Sequence, residues 1–161
     1  MDSIDVVVAQ YFLYLSVLIT AAFWLRSARA TKIELTVRLA LGGVLALALA
    51  NIAGRLYYDP RPFVTQHITP LFAHGADNGF PSDHALFTSF LAMTVLLYSR
   101  RVGVILLAIA VAVGVARVAA HVHSPLDIVA SFVFSALAAV AAAWVTRRRW
   151  LRSLARTSPR P

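Results

Sequence analysis

The stretch "ARVAAHVHSPLDIVASFVFSALAAVAAAWVT", residues 116–146, sets an arginine and two histidines directly ahead of a long apolar run. From Ser124 onward the run is about 20 residues, enough for a helix to cross the ~30 Å hydrocarbon core of a bilayer. Ser124, Pro125 and Asp127 read as N-cap, N1 and N3 of that helix, a near capping box with Asp in place of Glu. Small residues in "SALAAVAAAW" (135–144) let neighbouring helices approach closely. Arg117 lies several positions inside the preceding apolar run. A guanidinium costs about 2.5–3.5 kcal/mol at the bilayer centre and less near the interface, so it needs a partner or a task there.

The rest of the chain has the same character. Of 161 residues, 60% are hydrophobic and 14% charged, with mean hydropathy +0.74, a composition outside the range of soluble domains. Apolar runs near 5–25, 34–54, 84–98, 102–122 and 126–146 predict an all-α, polytopic membrane bundle of about five transmembrane helices. They form a single membrane-embedded domain over 1–161, with no internal repeat. The start "MDSID" lacks the basic n-region of a signal peptide, so the first run is expected in the mature protein. The absence of cysteine excludes disulfides and cysteine metal sites. The 55–83 connection is too long for a bare loop and predicts an interfacial helix around "PFVTQHITPLF" (62–72).

The net charge of +8 does not describe a nucleic-acid surface, because its cations sit between or beyond the apolar runs. Twelve of the 15 Lys and Arg residues fall at the first and third connections or in the basic tail (147–161): Arg26, Arg29, Lys32, Arg38, Arg100, Arg101, Arg147, Arg148, Arg149, Arg152, Arg156 and Arg160. The positive-inside rule assigns those regions to the cytoplasm, and so the N-terminus to the outside. Arg55, Arg61 and Arg117 are left for the outer face. With them go six of the seven acidic residues (Asp2, Asp5, Asp59, Asp77, Asp83, Asp127) and all five histidines.

Three segments on that side could do chemistry. In "YYDPRPF" (57–63) two prolines stiffen the backbone around Arg61, either as a plain turn or to hold a guanidinium for a phosphate. In "FPSDHALF" (80–87) Ser82 and Asp83 read as caps of the next helix. Its free N–H groups also suit an anion, and capping leaves His84 unexplained. In "ARVAAHVHSPLD" (116–127) Asp127 lies four residues after His123, close enough to hold one imidazole nitrogen protonated and leave the other free to attack. His121 is a lesser candidate. Together they suggest a basket for a phosphoryl group, whose transfer depends on positioning and charge stabilisation.

These residues resemble the type 2 phosphatidic acid phosphatase (PAP2) superfamily. Its pattern is a Lys…Arg-Pro element, Pro-Ser-Gly-His, and Ser-Arg followed by His and Asp. The counterparts are "GRLYYDPRP" (54–62), "PSDH" (81–84) and "ARVAAHVHSPLD" (116–127), and Arg117, His123 and Asp127 keep the family spacing. The resemblance covers roughly residues 50–130. Three positions depart: the family lysine falls at Gly54, beside Arg55; the motif serine is Ala116; and Asp83 replaces glycine. The "PSDHA" variant is similar to that of bacterial bacitracin-resistance-type undecaprenyl-diphosphate phosphatases. The resemblance implies His123 as nucleophile forming a phosphohistidine, Asp127 as its orienting partner, and His84 as general acid. It implies Arg55, Arg61, Ser82, Asp83 and Arg117 as substrate-binding residues, with no metal or other cofactor. The expected substrate is undecaprenyl diphosphate, cleaved at the outer face of a bacterial plasma membrane; phosphatidylglycerophosphate and phosphatidic acid are alternatives. A non-enzymatic lipid or anion transporter and a metal site at His84, His123 and Asp127 are the readings from other classes. Missing inverted repeats weigh against the first, and three nearby arginines against the second.

Overall fold

The computed structural model describes residues 2–147; the tail arginines from Arg148 onward lie outside them. The apolar runs fold as α1 (Asp2–Arg26), α2 (Arg29–Leu56), α4 (Asp83–Leu96), α5 (Arg100–Ala119) and α6 (Pro125–Thr146), with a single helical turn, α3 (Pro62–Thr65), in the long connection. The described residues contain no strand, only an isolated bridge between Pro60 and Asn78. Leu18, Val44, Val115 and Val140 are each more than 60% exposed. Such an apolar exterior is stable only against lipid.

Four helices, α1, α2, α5 and α6, are long and apolar enough to cross a bilayer. The fifth, α4, has 14 residues and rises about 21 Å, short of the ~30 Å hydrocarbon thickness. It tolerates this because it is mostly sheathed by protein: it packs against α1, α2, α5 and α6, and nine of its residues are buried. The turn to α5 is closed by Ser99, whose Oγ accepts from Val102 N–H at 3.4 Å, and by Gly103, where a Cβ would come within 2.4 Å of Leu96 Cα. Running antiparallel to a 20-residue α5 of about 30 Å, α4 begins well below the far end of its neighbour. That offset makes a recess, and "PSDH" lies at its floor.

Helices already dissolved in lipid gain little from apolar burial, so close packing and interhelical hydrogen bonds hold them together. Leu86 and Phe90 of α4 pack on Ala46, Ala50, Ala138 and Ala139. Beside them Ser89 Oγ donates to Ser135 Oγ (2.8 Å), Ser135 Oγ to Leu86 O (2.8 Å), and Ser131 Oγ to Ser82 O (2.9 Å). At ~0.6 kcal/mol each, these fix the start of α4 against the start of α6.

Two expectations are corrected. The interfacial helix over 62–72 is one turn only, because His67 takes φ 55 and the proline at 70 keeps Thr69 out of the helical region. Arg38, counted as a connection charge, lies within α2 and is buried at the end opposite the histidines. There it pairs with Glu34, donates to Thr146 Oγ1 at 2.8 Å and covers the Tyr98 ring at 4.9 Å.

Candidate active site

The site begins where α5 ends three residues earlier than the sequence suggests. His121, at φ 62, reverses the chain, and Val122 N–H bonds back to Arg117 O at 3.3 Å. His123 is thereby folded over the end of α5, beside Arg117, and is 3% exposed. The predicted capping box forms: Ser124 Oγ accepts from Asp127 N–H (3.3 Å), and Asp127 Oδ2 accepts from Ser124 N–H (2.8 Å). The same Oδ2 lies 3.1 Å from His123 Nδ1, which also faces Gly79 O at 2.9 Å. Both partners only accept, so Nδ1 carries the proton and Nε2 is a bare lone pair.

That lone pair faces two guanidinium groups. Arg61 Nη1 and Arg117 Nη2 each lie 3.3 Å from His123 Nε2. Arg61 is fixed by donating to Val122 O (2.8 Å), Asn78 O (3.4 Å) and Asp77 Oδ1 (2.9 Å). Arg117 donates through Nη1 to Ala9 O (3.3 Å) and through Nη2 to His74 Nε2 (2.9 Å), while its buried Nε has no partner. Burial, reinforced by Arg117 and Arg61 against the opposing pull of Asp127, holds the His123 imidazole below the ordinary range. It is therefore neutral at physiological pH.

The floor of the recess supplies more donors. Ser82 is fully buried at the N-cap position of α4, yet its side chain makes no capping bond and Oγ has no partner. His84, in the first turn, is within electrostatic reach of Arg117, His123 and His74, and exposed Asp83 within reach of Arg117. Among the described residues no group of three or more His, Asp or Glu is arranged to hold a metal ion.

Residues 32–151 match the PAP2 superfamily. The chain belongs to that superfamily. It is 34% identical over 138 residues to "Bacitracin transport permease protein BcrC" of Bacillus licheniformis, covering 84% of this chain and 67% of that one. It is 29% identical over 133 residues to "Undecaprenyl-diphosphatase BcrC" of Bacillus subtilis, covering 83% and 68%. The crystal structure of Aquifex aeolicus LpxE superposes with a TM-score of 0.65 at 26% identity, over 88% of this chain and 86% of that one. A PAP2-type phosphatidylglycerolphosphate phosphatase from B. subtilis has the same fold, with a TM-score of 0.65 at 20% identity over 92% and 79%. The protein is a PAP2 membrane phosphatase.

Within this PAP2 bundle the structure brings together Arg61, Ser82, His84, Arg117, His123 and Asp127, with Asp83 at the rim. It does not bring in Arg55, which is exposed in the last turn of α2 and shares none of these interactions. Gly54, one residue earlier, is the position turned inward: a Cβ there would lie 2.9 Å from Phe80 O. One helical step rotates the side chain by about 100°, which takes Arg55 off the site face. The motifs left His74, Asp77 and Asn78 unmarked. Asn78 Oδ1 accepts from Asp59 N–H (2.9 Å) and Phe80 N–H (3.0 Å), while Nδ2 donates to Gly54 O (2.8 Å) and Tyr57 O (2.9 Å). It ties the end of α2 to the lip of the recess. The "DNG" turn signal marks a bend there, but nothing in it tells which arginine the loop reaches.

Proposed function

We propose that the protein hydrolyses the terminal phosphate of undecaprenyl diphosphate through a phosphohistidine at His123. The observation that carries this reading is the bare Nε2 of a buried, oriented imidazole set between two guanidinium groups. Nε2 attacks the terminal phosphorus and the bond to the bridging oxygen breaks. His84, protonated once the negative charge of the bound phosphate offsets its burial and the field of Arg117, gives its proton to the departing lipid phosphate. Arg61, Arg117, the Ser82 hydroxyl and the N–H groups at the start of α4 hold the equatorial oxygens. In the second half a water attacks phosphorus and passes a proton to His84; the N–P bond breaks, and phosphate leaves with His123 restored.

The lipid part of the reading rests on the bundle and its relatives. An apolar groove of about 560 Å³ opens between α1 and α2, lined by Val17, Leu39, Gly43, Phe87 and Leu91 among others. Phe87 lies one turn along α4 from His84, so a tail in the groove would meet its head group at the recess. The B. subtilis relative is named an undecaprenyl-diphosphatase, whereas the B. licheniformis relative is named a transport permease. The His123–Asp127 pair favours hydrolysis, since a transport path needs no bare nucleophile. The distribution of Lys and Arg supports an extracytoplasmic site and N-terminus, and single-cysteine labelling of this cysteine-free chain can check it.

The test is phosphate release by purified protein from undecaprenyl diphosphate, phosphatidylglycerophosphate and phosphatidic acid, with label trapped on the enzyme from ³²P-substrate. The diphosphate should be the best of the three, and label should be lost in His123→Ala. If undecaprenyl diphosphate is the poorest, the substrate assignment fails; if native enzyme traps no label, the covalent step fails.

A further inference from the structure

His74 belongs to none of the motifs, yet it contacts Arg117 as closely as Asp77 contacts Arg61. Its Nε2 accepts from Arg117 Nη2 at 2.9 Å, and its ring stands edge-on to His123 with centroids 6.1 Å apart. Burial, with Arg61 and Arg117 adding to it, holds this imidazole below the ordinary range, so it is the unprotonated acceptor that the contact needs.

Arg117 is 2% exposed and shows what is missing. Its Nε is buried without a partner while the neighbouring Nη2 is engaged. These two nitrogens form the side edge of a guanidinium, which suits two oxygens of one anion. An imidazole offers one lone pair there, so half of the edge goes unused. A phosphate presents an oxygen to each nitrogen.

We propose that His74 is a specificity-determining residue that occupies the edge of Arg117 as a competing acceptor, and that only a terminal phosphoryl group displaces it. The inference rests on the reading of the recess as a phosphate site. Its physical logic is discrimination by competition. The surrounding bilayer is crowded with phosphodiester head groups, each with one negative charge and two free oxygens. A terminal phosphate brings three oxygens and up to two charges, and fills both Nε and Nη2. Displacing the acceptor on Nη2 costs every anion the same free energy, so a singly charged phosphodiester, already the weaker ligand, falls below useful occupancy while the more highly charged terminal phosphate still binds.

The test uses full-length protein in detergent and measures inhibition by inorganic phosphate and by a short-chain phosphatidylglycerol. His74→Ala removes the competitor, so inorganic phosphate should inhibit about tenfold more tightly. The phosphodiester, inert on native enzyme, should become an inhibitor. His74→Gln keeps an acceptor oxygen and should stay near native behaviour. Weaker or unchanged phosphate inhibition in His74→Ala overturns the inference while leaving the site reading intact. Native enzyme that neither cleaves lipid phosphates nor responds to inorganic phosphate overturns both. Should the alanine variant fail to fold, ¹⁵N-histidine spectra of native protein decide the matter. Adding inorganic phosphate must shift the His74 Nε2 resonance, assigned with His74→Gln, and an unmoved resonance overturns the proposal.

Discussion

At one end of the bundle Arg38 is 6% exposed; at the other, Arg61 and Arg117 are 6% and 2% exposed. Burial alone does not tell them apart, but their partners do. Arg38 has a carboxylate four residues away on its own helix, a hydroxyl from α6 and an aromatic face beneath it. Its charge is answered locally, and it ties α2 to α6. Arg117 has no carboxylate in contact: it is held by a carbonyl and two imidazole nitrogens, with its buried Nε unpartnered. Arg61 has Asp77 at Nε, but its Nη1 is turned toward His123. A buried cation whose partners are neutral or incomplete awaits an anion.

The largest effect should come from the atom both site arginines face. His123→Ala should lower turnover by at least about 10³-fold with the fold intact by thermal unfolding; residual turnover within tenfold of native would remove the nucleophile from the scheme. Next comes a direct contrast of the two ends. Arg117→Lys loses the planar fork and should reduce kcat/KM by about 10²-fold or more. Arg38→Met should instead lower thermal stability by about 1–3 kcal/mol through loss of the Thr146 hydrogen bond, because Glu34 is exposed enough to stay hydrated, with kcat per folded molecule unchanged. Equal activity losses in both would erase the distinction between the two ends.

The pH profile sharpens the comparison further. His123 must be neutral to attack, and its imidazole lies below the ordinary range, so the acid limb of kcat/KM should fall at lower pH than a free histidine would give. Asp127 opposes that shift, so Asp127→Asn should move the limb lower still. It should also reduce kcat by about 10²–10⁴-fold, because the Nδ1 proton is no longer held. The smallest effect is expected for Arg55→Ala, within about threefold of native kcat/KM; a hundredfold loss would place Arg55 in the cradle after all.

Much of this was legible in the chain. The spacing from Arg117 to His123 to Asp127 survives folding because it spans one turn and one cap, both governed by local chemistry. Ser82 was legible as the N-cap position of α4, though its hydroxyl turns away from capping and stays unpartnered. Arg55 shows the limit of reasoning by adjacency, since neighbours on a helix point in different directions. His74 and Asp77 were out of reach for another reason. They reach the arginines through a loop whose path depends on the bridge at Pro60, the bonds of Asn78 and the left-handed residue at His67, and no periodicity encodes such a path.

Asn78 is followed by Gly79, the pairing at which asparagine most readily cyclises to a succinimide and deamidates. Here both ingredients of that reaction are engaged: the side-chain amide holds four partners, and Gly79 N–H, the attacking nitrogen, donates to Asp59 O at 2.9 Å. The clip at the lip of the recess therefore also protects the chain from chemical ageing. Protein held unfolded long enough to deamidate would return with an acid where the amide had been and two backbone carbonyls facing it.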